Sequence, residues 1–234
     1  MGRTMRILLV GYGRMGRMVE SLAPEYGGEV AGIVEIDNAS DLVGGSSDWG
    51  AVDVAIDFSY PEAVPVNVPA LARLGINVVT GTTGWGAHEP DVRKVAAVAG
   101  IGLVAAPNFS TGVVLFEALV ARAAKLFTPH DEFGAWLHEA HHVMKKDAPS
   151  GTALSLKRAM EDAGYTRPID VSSTRAGHIP GTHTIGFDGA AESITLSHAA
   201  RDRSAFARGA LVAARWVKGK HGWFTMHDVL GVRP

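Results

Sequence analysis

The 234-residue chain contains no cysteine, which excludes disulfide bonds, thiol catalysis and zinc sites built on thiolates. No apolar run approaches the ~18 residues that a membrane-spanning helix needs. The amino-terminal run, residues 7–10, is also too short for the apolar region of a signal peptide. The formal net charge is only −2, and the basic residues are scattered, so nothing marks a nucleic-acid surface. We therefore expect a soluble cytoplasmic protein that binds neither nucleic acid nor a membrane.

The first motif is a glycine-rich turn. Residues 6–10 predict a buried parallel strand, and Gly-Tyr-Gly-Arg-Met-Gly at 11–16 follows it directly, before a helical pattern. A second predicted strand, 30–34, ends in Glu35, which would accept hydrogen bonds from a ribose. Such turns also occur in units that bind nothing. The strand before, the helix after and the acid at the right distance together predict dinucleotide binding, with the pyrophosphate at the helix start.

Strands and helices continue to alternate to about residue 110. Further strands are predicted at residues 52–57, 76–79 and 103–106. We expect residues 37–50 to form a loop, and we expect Pro65 and Pro69 to break the helical segment at 61–74 into short pieces. The alternation predicts an α/β fold with a doubly wound parallel sheet of the Rossmann type.

A different rhythm follows. A long helix is predicted at 111–125, a strand at 133–140, and a helix at 152–163 with Ser150 as its N-cap. Residues 169–200 then alternate in the manner of strands, which indicates a mixed or antiparallel sheet. The carboxyl-terminal half is therefore expected to form a second domain of the α+β class with a mixed sheet.

The densest chemistry of the chain lies at residues 138–147, where three histidines, two lysines and two carboxylates fall within ten positions. His138 and His142 formally match the zinc motif His-Glu-x-x-His, which requires a helix. The preceding residues alternate like a strand, and on a strand these histidines would lie roughly 13 Å apart, too far to share one ion. A second interpretation, a solvated polar loop, suits Lys146 but leaves the paired histidines unexplained.

The third interpretation is a site for an anion and for proton transfer. Histidine titrates near neutral pH and suits general acid catalysis, and lysine supplies a positive charge. Ser150, Gly151 and Thr152 place hydroxyls and backbone N–H groups at a helix amino terminus, which binds carboxylates. These groups suit a substrate that carries carboxylates beside a carbonyl-like or C=C–C=N system to be reduced.

The stretch from Glu139 to Ala153 resembles the signature E-x-H-H-x-x-K-x-D-x-P-S-G-T-A of the dihydrodipicolinate reductase (4-hydroxy-tetrahydrodipicolinate reductase) family. The resemblance extends in order through further motifs at residues 11–16, 55–59, 81–85, 106–110, 175–183 and 226–230. It implies reduction of hydroxy-tetrahydrodipicolinate to tetrahydrodipicolinate with NADH or NADPH, in diaminopimelate and lysine biosynthesis. It also implies a homotetramer in which domain closure brings nicotinamide and substrate together.

Matched by motif position, the resemblance implies that His141 is the proton donor and that Lys145 is a second donor that also holds the substrate. It implies that substrate carboxylates bind His142, Ser150, Gly151 and Thr152. No metal is expected, because the predicted strand separates His138 from His142. The residues expected to line the cofactor are Gly11, Tyr12, Gly13, Arg14, Met15, Gly16, Glu35, Gly81, Thr82, Thr83, Ala106, Pro107, Asn108 and Phe109. The implied domains are 1–110, completed by 204–234, for the dinucleotide, and 111–203 for substrate binding and oligomerisation.

We expect NADH to be preferred over NADPH. Ile36 stands where relatives that use NADPH often carry arginine, and Glu35 precedes it. With Arg14 as the only local cation, a 2′-phosphate would meet an uncompensated carboxylate. Two alternative functions are a nicotinamide-binding sensor or accessory protein without catalysis, and a metallohydrolase that uses His138 and His142.

Overall fold

The computed structural model describes residues 3–44 and 49–233. Its chain forms two compact units. The first comprises the described residues up to Ser110 together with Phe206–Gly231, and the second comprises Thr111–Ala205 and the last described residues after Gly231. Within the described ranges, none of the helices combines the length and the apolar character needed to span a bilayer.

The first unit is built on a six-stranded, all-parallel sheet. Numbered along the chain, its strands are β1 (Met5–Val10), β2 (Gly28–Val34), β3 (Val54–Asp57), β4 (Asn77–Thr80), β5 (Gly102–Ala105) and β10 (Gly222–Phe224). Their spatial order is β10-β5-β4-β3-β1-β2. The four residues of β3 are all buried, as expected of a strand covered on both faces. The predicted Rossmann-type sheet is confirmed, and β10, which adds to its edge, was not predicted.

The helices of this unit are α1 (Arg14–Leu22), α2 (Ala39–Gly44), α3 (Val64–Arg73), α4 (Glu89–Ala99), most of α7 (Ser204–Val217) and α8 (Met226–Leu230). Strand β1 has β2 on one side and β3 on the other, so the winding of the chain reverses there. In open α/β sheets, ligands bind outside the carboxyl ends of the strands at such a reversal. The glycine-rich turn leaves β1 at this point.

Two sequence predictions for this unit were wrong. Helix α3 is continuous through Pro69, because Pro65 lies in its first turn, where no backbone donor is needed, and the buried Val68 and Leu71 hold the remainder in the core. The segment expected to be a loop begins with a short 3-10 turn, Ile36–Asn38, and α2. Apolar burial of Leu42 accounts for that helix. Residues 45–48 of the same segment lie outside the described residues.

The second unit is a four-stranded mixed sheet with two helices. Its strands are β6 (Gly134–His141), β7 (Ile169–Arg175), β8 (Thr182–Asp188) and β9 (Ser193–Ala199), in the order β7-β6-β8-β9. Strand β6 runs parallel to β7 and antiparallel to β8. The core forms between the sheet and helices α5 (Thr111–Phe127) and α6 (Gly151–Asp162). The predicted mixed sheet is confirmed, as is Ser150 as N-cap of α6, whose side chain accepts from Ala153 N–H at 3.2 Å.

Candidate active site

The three glycines of the turn after β1 have three different structural roles. Gly11 has φ +89°, in the left-handed region, and a Cβ there would lie 2.5 Å from the carbonyl oxygen of Phe58. A Cβ on Gly16 would overlap the carbonyl oxygen of Gly11, so this position keeps α1 close to the turn. A Cβ on Gly13 would meet nothing within 4 Å. Room is therefore left only at the position where a pyrophosphate is expected to approach the backbone.

A buried carboxylate, Asp57, joins the neighbouring turns at the same edge of the sheet. It accepts hydrogen bonds from the backbone and hydroxyl of Ser59, at 2.9 and 2.7 Å, and from the hydroxyl of Thr82 at 2.8 Å. Asn67 donates to its other oxygen at 3.4 Å. The turn after β3 is thereby tied to the turn after β4. No role was predicted for Asp57, although it lies at the end of a buried strand and within the family motif at residues 55–59.

The other residues predicted to line the cofactor lie at the carboxyl ends of β1, β2, β4 and β5. Gly81 packs against the ring of Phe58, and the Thr82 hydroxyl is bonded to Asp57. Thr83 is exposed. Phe109 is buried, with its ring edge-on to that of Phe58 at 6.2 Å. The structure thus gathers the predicted turns at one edge, which Asp57 and Phe58 hold together.

The remaining residues predicted to line the cofactor lie at the surface or form the turns themselves. Tyr12 donates to Glu20, and the Arg17 guanidinium covers its ring at 4.6 Å. Arg14 is exposed and forms no ion pair with the described residues. Glu35 is also exposed and caps the 3-10 turn that follows it. The predicted residues not yet placed are Met15, which is half-buried on α1, and Ala106, Pro107 and Asn108, which form the turn after β5.

In the second unit, the site begins at the end of β6. Alternate residues of this strand, including Leu137, Glu139 and His141, are buried on one face. His138 points away from that set, with its ring hydrogen-bonded to Ser172 at 2.9 Å. Residues 134–141 form a strand, as predicted, and not the helix that the His-Glu-x-x-His motif requires.

Glu139 is the centre of the hydrogen-bond network in this unit. Its side chain is fully buried, and His141 bonds to it through Nδ1. The Arg175 guanidinium donates to both carboxylate oxygens, at 2.9 and 2.7 Å, and the Ser150 N–H donates at 3.2 Å. Burial alone would raise the pKa of Glu139, but the hydrogen bonds from Arg175, the Ser173 side chain and His141 lower it to about 2. The group is therefore an anion at any pH at which an enzyme works.

The pKa of His141 is lowered, first by burial and then by the positive charges of Lys145 and Arg175, against the opposing effect of Glu139. His183 on β8 packs edge-on against it, with ring centroids 5.2 Å apart, and bonds through Nε2 to the Ser150 hydroxyl at 3.1 Å. Burial and the neighbouring His141 lower the pKa of His183 to about 4. At neutral pH, His183 is thus uncharged. Neither Arg175 nor His183 was among the predicted site residues.

The loop between β6 and α6 carries the predicted anion-binding groups. Lys145 is half-buried, and its Nζ donates to both oxygens of Asp147 at 2.8 and 2.9 Å. The Gly151 N–H also donates to Asp147, so this carboxylate lies at the amino terminus of α6. Gly151 is exposed, with no atom within 4 Å of the position of a Cβ. Lys146 is exposed, as expected.

Two of the residues predicted to bind the substrate, His142 and Thr152, lie beside the network around Glu139 and Asp147. The His142 ring is half-buried and makes no hydrogen bond to the described residues. Thr152 is half-buried in the first turn of α6. The second unit therefore brings together His141, Lys145, Ser150 and Gly151 in one network, with His142 and Thr152 in the flanking positions.

Among the residues that the structure describes, one group of side chains could hold a metal ion: the ligand atoms of Glu139, His141 and His183 lie within 4.8 Å of one another. The Arg175 guanidinium already donates to both oxygens of Glu139. A metal ion bound to these oxygens would have to displace the guanidinium. With Arg175 bound to it, Glu139 is better suited to a structural role than to binding a metal ion. This cluster contains neither histidine of the apparent zinc motif.

The chain combines a Rossmann-type sheet with a second, mixed-sheet unit, an architecture that it shares with solved reductases and dehydrogenases. The chain resembles the solved structure of an amine dehydrogenase from Mycobacterium smegmatis, with 12% identity and a TM-score of 0.61 over 96% of this chain and 95% of that one. It resembles more strongly a dipicolinate-bound dihydrodipicolinate reductase from Paenisporosarcina sp. TG-14, with 22% identity and a TM-score of 0.78 over 96% and 98%. At such identities the likeness concerns the fold alone.

The sequence comparisons identify the family. Residues 5–109 match the family model described as dihydrodipicolinate reductase, N-terminus, and residues 112–230 match the one for the C-terminus. The 4-hydroxy-tetrahydrodipicolinate reductase of Caulobacter vibrioides is 39% identical over the whole of both chains. That of Christiangramia forsetii is 34% identical over 97% of this chain and 98% of its own. The chain therefore belongs to the dihydrodipicolinate reductase family, as its motifs indicated.

The glycine turn gives a prediction that separates packing from binding. Gly16→Ala should destabilise the protein by about 1–3 kcal/mol, because the new methyl group collides with the Gly11 carbonyl. Gly13→Ala should leave the unfolding free energy nearly unchanged but weaken NADH binding ~10-fold or more, since its methyl group enters the space left for the pyrophosphate. Denaturant unfolding and a fluorescence titration with NADH measure the two effects. Equal effects of both variants on both quantities would contradict the assignment.

Proposed function

We propose that this protein reduces 4-hydroxy-tetrahydrodipicolinate to tetrahydrodipicolinate with NAD(P)H, a step of diaminopimelate and lysine biosynthesis. The observation that carries the proposal is the placement of His141 and Lys145 beside the amino terminus of α6, within the motif typical of the family. A titratable imidazole, a cation and the backbone N–H groups of a helix amino terminus are what a dicarboxylate needs if it is to be held while it accepts a proton. The names of the family's curated members support the same reaction.

The first unit fits a dinucleotide. The open space at Gly13, the start of α1 and the turns joined by Asp57 form the edge of the sheet at which such a cofactor binds. The residues that would hold it are those of the 11–16 turn, Glu35 and the turns after β4 and β5. A nicotinamide cofactor, when bound, supplies the hydride of the reduction.

The substrate carboxylates would bind Lys145, His142 and the N–H groups of Gly151 and Thr152. Asp147 now engages Lys145 and the Gly151 N–H. A carboxylate of the substrate therefore has to replace Asp147 at these groups. The exchange conserves the charge around Lys145, so the cation is never left without a counter-ion.

His141 would provide the proton. Because burial and the nearby cations lower its pKa, the imidazole is mostly neutral near pH 7 before substrate binds. A bound dicarboxylate adds negative charge beside the ring, which favours the imidazolium form and raises the pKa. The substrate thereby increases the acid form of the residue that protonates it. Lys145, bound to the same substrate, would serve as a second donor.

The assembly and the roles of the two units follow from the family resemblance. We propose that residues 1–110 with 204–234 bind the cofactor, and that residues 111–203 bind the substrate and build a homotetramer. We place the reaction in the cytoplasm, where nicotinamide cofactors and amino-acid precursors are held.

A coupled assay with purified protein, NADH and freshly generated substrate tests the reaction. His141→Gln should lower kcat ~10²-fold or more, because the proton donor is lost, while the Kd for NADH stays unchanged. His138→Gln is the matched control: it lies on the opposite face of β6 and should keep nearly full activity. Absence of substrate-dependent NADH oxidation by the wild-type protein would contradict the proposed function and favour a non-catalytic, cofactor-binding role. Equal loss in both histidine variants would contradict the role of His141.

Ile36→Arg tests the proposed preference for NADH. Ile36 is 72% exposed, directly after Glu35, so an arginine there would bring a second cation, besides Arg14, to a 2′-phosphate that would otherwise meet the Glu35 carboxylate. We expect the ratio of kcat/KM for NADPH to that for NADH to rise ~10-fold. Val43→Arg, a similar change at another exposed aliphatic residue, should leave the ratio unchanged. An unaltered ratio in Ile36→Arg would place the selectivity elsewhere.

A further inference from the structure

In the second unit, the carboxylate of Glu139 contacts both the residue proposed to donate the proton and the residue that begins the proposed anion-binding helix. Through His141 Nδ1 it reaches the proposed proton donor, and through the Ser150 N–H, at 3.2 Å, it reaches the residue that caps α6. Arg175, from the end of β7, donates to both of its oxygens and also to the Asp147 carbonyl, at 2.5 Å. One buried group therefore connects two strands, the loop and the helix start.

An ionised carboxylate has no proton to donate, so every hydrogen bond to Glu139 must be donated by its partner. The neutral His141 ring must accordingly carry its proton on Nδ1, which leaves a lone pair on Nε2. That nitrogen faces Gly181, where a Cβ would lie only 3.0 Å from it. Glycine at this position, whose φ is +143°, keeps the Nε2 edge of the ring from being covered by a side chain.

We infer that Glu139 is a positioning residue for the proton transfer: it holds His141 in the tautomer with Nδ1–H, so that Nε2 is the atom that takes up a proton and passes it to the substrate. This inference rests on the proposed function, because it assumes that His141 is the donor. The proton is taken from solvent onto Nε2 and leaves from Nε2, so the Nδ1–H bond to Glu139 is unchanged throughout. Arg175 and the Ser150 N–H keep Glu139 ionised and in place.

A purely structural role is the competing explanation, since a buried ion pair between β6 and β7 would stabilise the fold without any effect on proton transfer. The two differ in what they do to His141. The charged and titratable groups that face this ring are Glu139 on its own strand, Arg175 on β7, His183 on β8 and Lys145 in the following loop. Glu139 is the only anion among them. Its loss should therefore lower the pKa of His141 further, whereas a structural defect that loosens the packing around the ring would relieve its burial and raise that pKa.

Glu139→Gln removes the charge and nearly preserves the shape. Because an amide can donate to the imidazole and stabilise the wrong tautomer, we expect kcat to fall ~10²-fold or more, with less than a threefold change in the Kd for NADH. The pH above which kcat/KM falls should move to a lower value than in the wild type, since the acid form of His141 is lost earlier. Glu139→Asp keeps the charge, so in this variant kcat/KM should begin to fall at the same pH as in the wild type. Glu161→Gln, which changes a surface ion pair on α6, is the control and should behave as wild type.

A readout independent of turnover keeps this test separate from that of the proposed function. Nitrogen-15 NMR of the histidine rings should show His141 with its proton on Nδ1 in the wild type and on Nε2, or on a mixture of both, in Glu139→Gln. That result supports the positioning role even when no substrate is turned over. A lower melting temperature in Glu139→Gln with an unchanged pH limb and an unchanged tautomer would overturn the inference and leave Glu139 a structural residue. Should Glu139→Gln fail to fold, an Nε2–H tautomer of His141 in the wild type would overturn it equally.

Discussion

The second unit depends on one buried ion pair, that between Glu139 and Arg175. A carboxylate without solvent is costly unless charged and hydrogen-bonding partners surround it, and here His141, Arg175 and Ser150 supply them. Each partner comes from a different segment: the same strand, the neighbouring strand and the start of α6. Satisfying this carboxylate therefore fixes the relative positions of the groups proposed to bind and protonate the substrate.

The first unit uses a related device with different partners. Asp57 is also a buried carboxylate at the end of a strand, but its described partners are the uncharged donors Ser59, Asn67 and Thr82. It joins the turns on which the cofactor is proposed to lie, and the glycine turn packs against the adjacent Phe58. In each unit a buried acid at or near the end of a strand has its hydrogen bonds satisfied by the fold, and it holds together the segments that are proposed to bind a ligand. The contacts to the ligand are proposed for other groups, namely backbone N–H groups and the side chains of His141, His142 and Lys145.

The architecture could be predicted from the sequence because its signals are local. Apolar runs ending in glycine or threonine turns predicted β1 and β4, and an apolar run closed by Pro107 and Asn108 predicted β5. The change from helical to alternating periodicity predicted the mixed sheet. Local reasoning failed where tertiary contacts decide: burial carries α3 through Pro69, and the three-residue strand β10 exists only because β5 offers it an edge.

The site was predictable in part, for the same reason. The histidines, Lys145 and the Ser-Gly-Thr turn are contiguous in the chain, and the family motif contains them all. Arg175 is 36 residues from Glu139 along the chain, and His183 lies farther still, so only the pairing of β7 and β8 with β6 brings them to Glu139 and His141. They begin and end the family motif at residues 175–183, but the local sequence does not show which side chains they will contact. The role of Glu139 was hidden because a carboxylate in a polar stretch is ordinarily exposed to solvent.

The central claim is that His141 is a weak base in the free protein and becomes a proton carrier when a dicarboxylate binds beside it. An NMR titration of the His141 ring with and without dipicolinate tests this most directly. We predict a pKa below the ordinary 6.5 in the free protein, because burial and the cations Lys145 and Arg175 disfavour the charged ring, and a higher pKa in the complex. A His141 pKa that is unaffected by dipicolinate, or that lies above 6.5 before it is added, would contradict the account.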